Sequence, residues 1–312
     1  MSKLRTAIVG VGYLGRFHAQ KHRALDSIDL IGVCDRDPER CRAVAAENSV
    51  RAFADHRALV GAVDAVTIAA STSEHFELAK FFLENGVHVL LEKPMTRTSR
   101  EAAVLAELAD RHGLKLQVGH VERFNTALLA ARAALTTVRF IECHRLAPFK
   151  GRGVDVNVIL DIMIHDLDVI LSLVHSKPKT VSAFGMPVLT NDIDIANARI
   201  EFENGAVANV TSSRVSTTAQ RRFRVFQPNQ YVSIDFGSGE VRQVTKQGEG
   251  HDLSCLKEER WSLDKGDALL AETKAFVESI QNDTPCIVSG ADGVAALKLA
   301  EMIGADIARR QI

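Results

Sequence analysis

Three groups of residues have the types and spacing that chemistry requires. Gly10-Val11-Gly12-Tyr13-Leu14-Gly15 follows an apolar run at once and opens an amphipathic one. In such a turn the first glycine bends the chain and the second lets backbone approach a pyrophosphate. The third lets helix and strand pack closely, with the helix N-terminus facing the phosphate charge. Glu92-Lys93-Pro94 closes another apolar run. The proline biases Lys93 toward extended backbone, which projects the lysine beyond a strand end. There its ammonium can stabilise a developing alkoxide, or the amine can take a proton. The plain alternative is a solvated lysine at a turn. Asp161, His165 and Asp168 are spaced by four and three, so a helix sets them on one face. An aspartate one turn from a histidine orients the imidazole and stabilises its protonated form. A capped or salt-bridged structural histidine is the competing reading. No cysteine or second histidine has partner spacing to this pair, so no metal is expected.

These groups need elements to hold them. Leu4–Val9, Leu30–Cys34, Ala65–Ala69, Val87–Leu91 and Leu114–Val118 are apolar runs of strand length, as expected of parallel strands covered on both faces. Helical patterns lie between them, as at Glu74–Asn85 and Ser99–His112, closed by Gly86 and Gly113. Repeated β-α-β units imply an open, doubly wound parallel sheet of the Rossmann type. Ligands bind beyond the carboxyl ends of such strands, which brings Ser71, Thr72, His75, Glu92 and Lys93 to a cofactor cleft. Asp35 ends the second strand about 20 residues past Gly15, where an acid holds the adenosine ribose. Its carboxylate favours NAD over NADP, although Arg36 beside it could hold a 2′-phosphate or stack on adenine.

The pattern changes after Gly119. A helix is expected over Val121–Leu135, a strand over Val138–Leu146, a polar loop over Pro148–Asp155 and a long helix over Val156–Val174. Two-residue alternation follows at Ile193–Glu203 and Ala206–Ser213 around Asn204-Gly205, a hairpin signal in which both turn residues accept positive φ. Tyr231–Phe236 and Val241–Thr245 continue this antiparallel series, and helices return at Leu263–Gln281 and Ala291–Arg310. Two domains are therefore expected. Residues 1–119 form the NAD-binding Rossmann domain, and residues 120–312 an α/β domain for substrate and oligomer contacts, whose last helix can pack on the first.

Composition narrows the class. The 312 residues are 46% hydrophobic and 25% charged with a net charge of −1, a soluble globular balance that recruits neither nucleic acid nor an anionic membrane. No apolar run reaches the ~20 residues of a membrane span. Five scattered cysteines without a CxxC pair fit a reducing compartment, and no signal peptide precedes the first strand, so a cytoplasmic protein is expected.

The glycine turn with His18, Asp35, the Ala70–His75 segment, Glu92-Lys93-Pro94 and Asp161-x-x-x-His165 together resemble the Gfo/Idh/MocA family of oxidoreductases. The resemblance implies a C-terminal domain on a large, mostly antiparallel sheet, and hydride transfer at a sugar or polyol carbon. It also implies Lys93, Asp161 and His165 as the catalytic set, with the proton-accepting role open between Lys93 and His165. Gly119–Asn125, His144–Phe149 and Ile164–Asp168 are similar to nucleotide-sugar members that oxidise C3 of UDP-N-acetylglucosamine in lipid A precursor synthesis. That likeness makes Arg145, Lys150 and Arg152 candidates for a diphosphate, against the alternative of a solvated basic loop. The expected cofactor is NAD. The expected partners are a sugar or nucleotide sugar and further copies of the chain, as a dimer or tetramer. A dehydrogenase of a free sugar or inositol, or a non-catalytic NAD-binding regulator, remain the alternatives.

Overall fold

The computed structural model describes residues 3–149, 156–250, 252–264 and 266–310. Contacts divide the chain into two compact units, Met1–His120 with Leu269–Leu297, and Val121–Ala268 with Lys298–Ile312. In the first unit β1 (Leu4–Val9), β2 (Ile28–Cys34), β3 (Arg51–Phe53), β4 (Ala65–Ile68), β5 (His88–Glu92) and β6 (Leu116–Gly119) form a parallel sheet ordered β3-β2-β1-β4-β5-β6. This is the doubly wound Rossmann order, which reverses direction between β1 and β4. All five expected strands are present. The sixth, β3, is three residues with two of them exposed, too short to show an apolar pattern.

The helices α1 (Tyr13–Ala24), α2 (Pro38–Asn48), α3 (Thr72–Glu84) and α4 (Ser99–His112) connect the strands. Gly113 ends α4 in the left-handed conformation, as its place after the last apolar turn predicts. On the sheet side of α1, His22 is buried with Nδ1 2.9 Å from Thr6 Oγ1 and Nε2 3.0 Å from Thr67 Oγ1, which ties the helix to β1 and β4. Burial, with the nearby His18 as a second cause, holds the His22 imidazole down to about 3 from the usual 6.5. The folded protein keeps this ring neutral, so the unfolded chain takes up the proton first as pH falls. Stability is therefore full above pH 6.5 and drops as pH falls toward 3, at up to about 1.4 kcal/mol per pH unit. We expect His22→Gln to be less stable at pH 7 but to lose less stability on acidification in urea titrations. Equal acid slopes for both proteins would refute this role.

The second unit is built on an eight-stranded sheet. Its strands are β7 (Phe140–Leu146), β8 (Pro178–Met186), β9 (Ile195–Phe202), β10 (Val207–Ser213), β11 (Gln220–Gln227), β12 (Gln230–Asp235), β13 (Glu240–Lys246) and β14 (Leu256–Ser262). They run β14-β13-β12-β11-β7-β10-β9-β8 and are antiparallel except for β7 with β10. Alternate residues of β9 and β10 are buried, so one face of the sheet meets a core of Ile141, Val210, Phe223 and Ile234. The β9–β10 hairpin forms as expected but with a different turn. Only Gly205 has positive φ, because Gly205 N–H bonds the Phe202 carbonyl across a four-residue loop and Asn204 stays in the ordinary region.

Two expected helices are interrupted. Residues 121–135 hold a 3-10 turn (Val121–Phe124), then α5 (Thr126–Ala131) capped by Asn125, whose Oδ1 accepts the Ala127 N–H, then a second 3-10 turn (Arg132–Ala134). The long helix is a π-helical turn (Ile159–Met163) that runs into α6 (Ile164–Val174). The chain ends with α7 (Ala268–Gln281), which starts five residues later than expected, and α8 (Gly290–Arg310). Phe276 and Val277 of α7 join the core of the first unit with Ile8, Val11 and Val33, whereas Leu299, Ile303 and Ile307 of α8 join that of the second. Among the described residues no helix is long and apolar enough to cross a membrane.

Candidate active site

The glycine turn lies where the sheet order reverses. Gly10 has φ +85°, and a Cβ there would come within 2.6 Å of the Ala70 backbone at the end of β4. A Cβ on Gly15 would stand 1.9 Å from the Gly10 carbonyl oxygen, so α1 packs directly on the turn. Gly12 differs. Its Cβ would meet nothing within 4 Å, no side chain caps α1, and the first turn of α1 has no acid. An open approach to an uncapped helix N-terminus fits a pyrophosphate. Tyr13 is exposed, with its ring edge-on to Phe17, and Leu14 is half-buried. We expect Gly12→Ala to keep near wild-type stability but to lose most of the melting-temperature gain from added NAD⁺. An undiminished gain would mean that the ligand does not approach at Gly12.

Asp35 is buried at the end of β2. Its carboxylate accepts hydrogen bonds from Val11 N (2.7 Å), Asp37 N (2.9 Å), Arg40 Nη2 (2.7 Å) and Arg40 Nε (3.2 Å). Burial pushes this carboxyl up, but those donors outweigh it and hold Asp35 below its ordinary range. Arg36 is exposed; the arginine that meets Asp35 is Arg40. The available signal was Asp37-Pro38. Asp37 caps α2 through Glu39 N and Arg40 N, and proline starts the helix, which returns Arg40 to the strand end.

Lys93 is half-buried, and its bond to Pro94 is cis. Three neighbours shape this turn. Lys93 N donates to Glu92 Oε2 at 3.1 Å, and His18 Nε2 donates to Glu92 Oε1 at 2.7 Å. His75 has Nδ1 2.9 Å from the Pro94 carbonyl oxygen and Nε2 3.1 Å from that of Ala70. Burial, the largest cause, lowers the His75 pKa against the raising effect of the two carbonyl contacts. Glu92 and His75, read as cofactor contacts, thus direct their polar atoms at the protein and hold the Lys93 turn. Ser71 is exposed at the N-cap of α3, and Thr72 is buried in its first turn.

In the second unit Asp161 lies in the π-helical turn and His165 in the first turn of α6, both half-buried. The third residue of the expected face has another use. Asp168 is buried and accepts from Arg123 Nε at 2.8 Å. Arg145 is buried too. Its Nη1 donates to Glu122 Oε1 at 2.7 Å, and its Nε and Nη2 donate to Asp166 Oδ1 at 3.1 and 2.8 Å. These pairs tie the start of α6, just after His165, to residues 122–123 and to β7. Arg145 therefore serves as an internal cation rather than an open phosphate ligand, because its donors are taken by two buried carboxylates. Lys150 and Arg152 lie outside the described residues. Arg214 was not anticipated. Its Nε donates to buried Asp194 at 2.7 Å and its Nη1 to the Val156 carbonyl at 2.9 Å, which fixes the chain just before the π-helical turn.

The sheet order, the open glycine turn and the acid at β2 define a dinucleotide-binding α/β protein. Residues 4–120 match the oxidoreductase family with an NAD-binding Rossmann fold, and residues 130–229 match the GFO/IDH/MocA C-terminal domain. The chain belongs to the Gfo/Idh/MocA oxidoreductase family and is an enzyme of that class. It is 40% identical over 303 residues to UDP-N-acetylglucosamine 3-dehydrogenase of Acidithiobacillus ferrooxidans, covering 96% of both chains. A solved structure of that enzyme superposes with a TM-score of 0.92 at 39% identity over 98% of each chain. Myo-inositol 2-dehydrogenase of Thermotoga maritima is 26% identical, covering 95% of this chain and 94% of its own.

Proposed function

We propose that the protein oxidises the C3 hydroxyl of UDP-N-acetylglucosamine to a ketone, an early step toward a lipid A precursor, with NAD⁺ as acceptor. The observation that carries this reading is 40% identity to a UDP-N-acetylglucosamine 3-dehydrogenase along 96% of both chains. The reading is supported by the presence of Lys93, Asp161 and His165, since a regulator that only senses the cofactor has no need of a proton relay.

The glycine turn, the N-terminus of α1 and Asp35 would hold the dinucleotide, which when bound supplies the hydride acceptor. The protein's own residues handle charge and position. His165, oriented by Asp161, accepts the proton of the substrate hydroxyl. The Lys93 ammonium stabilises the alkoxide that develops as the C–H bond breaks. The two roles are separable by the pH dependence of each single variant. Asp35 favours the cofactor with a free ribose 2′-hydroxyl, so NAD⁺ should raise the melting temperature more than NADP⁺. An equal or larger effect of NADP⁺ would show that Arg36 or Arg40 governs the pocket instead. The substrate reading is tested by NADH formation from a panel of UDP-sugars, free N-acetylglucosamine and myo-inositol. Oxidation of inositol alone would overturn it.

A further inference from the structure

His18 on α1, Glu92 at the end of β5 and Glu272 on α7 converge inside the first unit, all buried, with one donor or acceptor atom from each lying within 4.8 Å of the others. Glu92 is well provided with donors, from His18 Nε2 and Lys93 N. Glu272 is not. Its side chain is fully buried, and neither carboxyl oxygen has a hydrogen-bond partner among the described residues. The fold commits both carboxyl groups to this place. Gln117 on β6 donates to the Glu272 backbone carbonyl at 3.0 Å, and a Cβ on Gly119 would lie 2.9 Å from Glu92 Oε2.

We propose that Glu272 is a positioning residue for Lys93: its carboxyl group carries a proton in the core, which leaves Glu92 as the single anion that fixes the Lys93 turn. Two ionised carboxylates this close in a dry interior repel strongly, so the pair retains one proton. The donors decide where that proton sits. Glu92 takes the negative charge because His18 and the Lys93 backbone bond to it, and Glu272 takes the proton. Burial, with the Glu92 charge second, pushes the Glu272 carboxyl well above the ordinary glutamate range. Burial also raises Glu92, but the bond to His18 and the charges of His18 and Lys93 outweigh it and bring the net shift below that range. Among the described residues the titratable groups that face Glu272 are Glu92 and His18. His22 lies one turn further along α1, and β6 contributes the uncharged Gln117. Loss of the Glu272 proton at alkaline pH would set two anions against each other and draw Glu92 away from the Lys93 turn.

The proposal rests on the catalytic reading of Lys93, so its test has one arm that does not depend on turnover. Infrared spectra of the wild type at neutral pH should show the C=O stretch of a buried protonated carboxyl that is missing from Glu272→Gln. Glu272→Ala should lower turnover by about tenfold or more, since a small displacement of a reacting group can cost up to about 10²-fold. Glu272→Gln, which keeps the shape of the neutral acid, should restore it and lack the alkaline fall of the wild type. An absent band, an alkaline limb shared by wild type and Glu272→Gln, or a stoichiometric metal ion in the purified protein would each overturn the proposal. If Lys93→Ala retains turnover while the band persists, the catalytic reading of Lys93 fails and the positioning role falls with it. If Lys93→Ala is inactive and the band is missing, only the Glu272 proposal fails.

Discussion

Lys93→Ala is expected to reduce turnover by about 10²-fold or more while NAD⁺ affinity stays near that of the wild type. The groups that fix the Lys93 backbone are Glu92, His18 and His75, and all three are buried with partners of their own. Removing the ammonium leaves those contacts and the open glycine turn intact, so the cofactor site and the fold should survive. What is lost acts only as charge develops on the substrate oxygen, which appears in kcat rather than in binding. His165→Ala should fall by a similar factor. The double variant should be less than the product of the two losses if both residues handle one hydroxyl. Turnover of Lys93→Ala within a few-fold of the wild type would remove the lysine from the reaction. Isothermal titration with NAD⁺ on the same variant guards against a trivial cause, since a collapsed turn would also lose the cofactor.

The sequence disclosed the residues of this site better than their partners. Largely apolar runs marked five of the six strands of the Rossmann sheet, because burial on both faces leaves few polar residues, such as Thr6, Thr67 and Gln117, to blur them. In the second sheet, β14 reads Leu-Lys-Glu-Glu-Arg-Trp-Ser and is almost wholly exposed, so it offers no alternation to read. Asn229 takes φ +60° in the β11–β12 turn, and β11 before it reads Gln-Arg-Arg-Phe-Arg-Val-Phe-Gln, with no continuous apolar run to mark a strand. Ion pairs were harder still. Arg145 meets Asp166 across 21 positions and Glu122 across 23, and nothing local to Arg145 distinguishes a buried cation from a surface one. The same holds for His18 and Glu92, 74 positions apart. The spacing of Asp161, His165 and Asp168 was visible, but a π-helical turn ahead of His165 and the claim of Arg123 on Asp168 were not. Spacing reports a face only while the helix stays regular.

The largest effect on substrate choice should come from the diphosphate. UDP-N-acetylglucosamine is expected to exceed free N-acetylglucosamine and myo-inositol by about 10²-fold or more in kcat/KM. Two charge-assisted hydrogen bonds to phosphate oxygens supply roughly 3–6 kcal/mol, and remote binding of this kind places the reacting carbon. The geometry changes which arginine to test. Arg145 holds Glu122 and Asp166 in the core, so Arg145→Ala should strip Asp166 of its hydrogen-bonded cation, leave Glu122 to the more distant Arg221 at 3.8 Å, and destabilise the protein by about 3–5 kcal/mol. Its loss of activity would follow from unfolding and would say nothing about phosphate. Arg152 comes shortly before the residues of the proposed relay in the sequence. Arg152→Ala should raise KM for the UDP-sugar several-fold, with melting temperature and NAD⁺ affinity unchanged. The contrast between the two variants is the discriminating measurement: one loses stability, the other only substrate affinity. Should a free sugar be oxidised as efficiently as any UDP-sugar, no diphosphate subsite operates and Arg152 has no such role. Membership of the oxidoreductase family, which rests on both matched regions of the chain, would stand unaffected by that result.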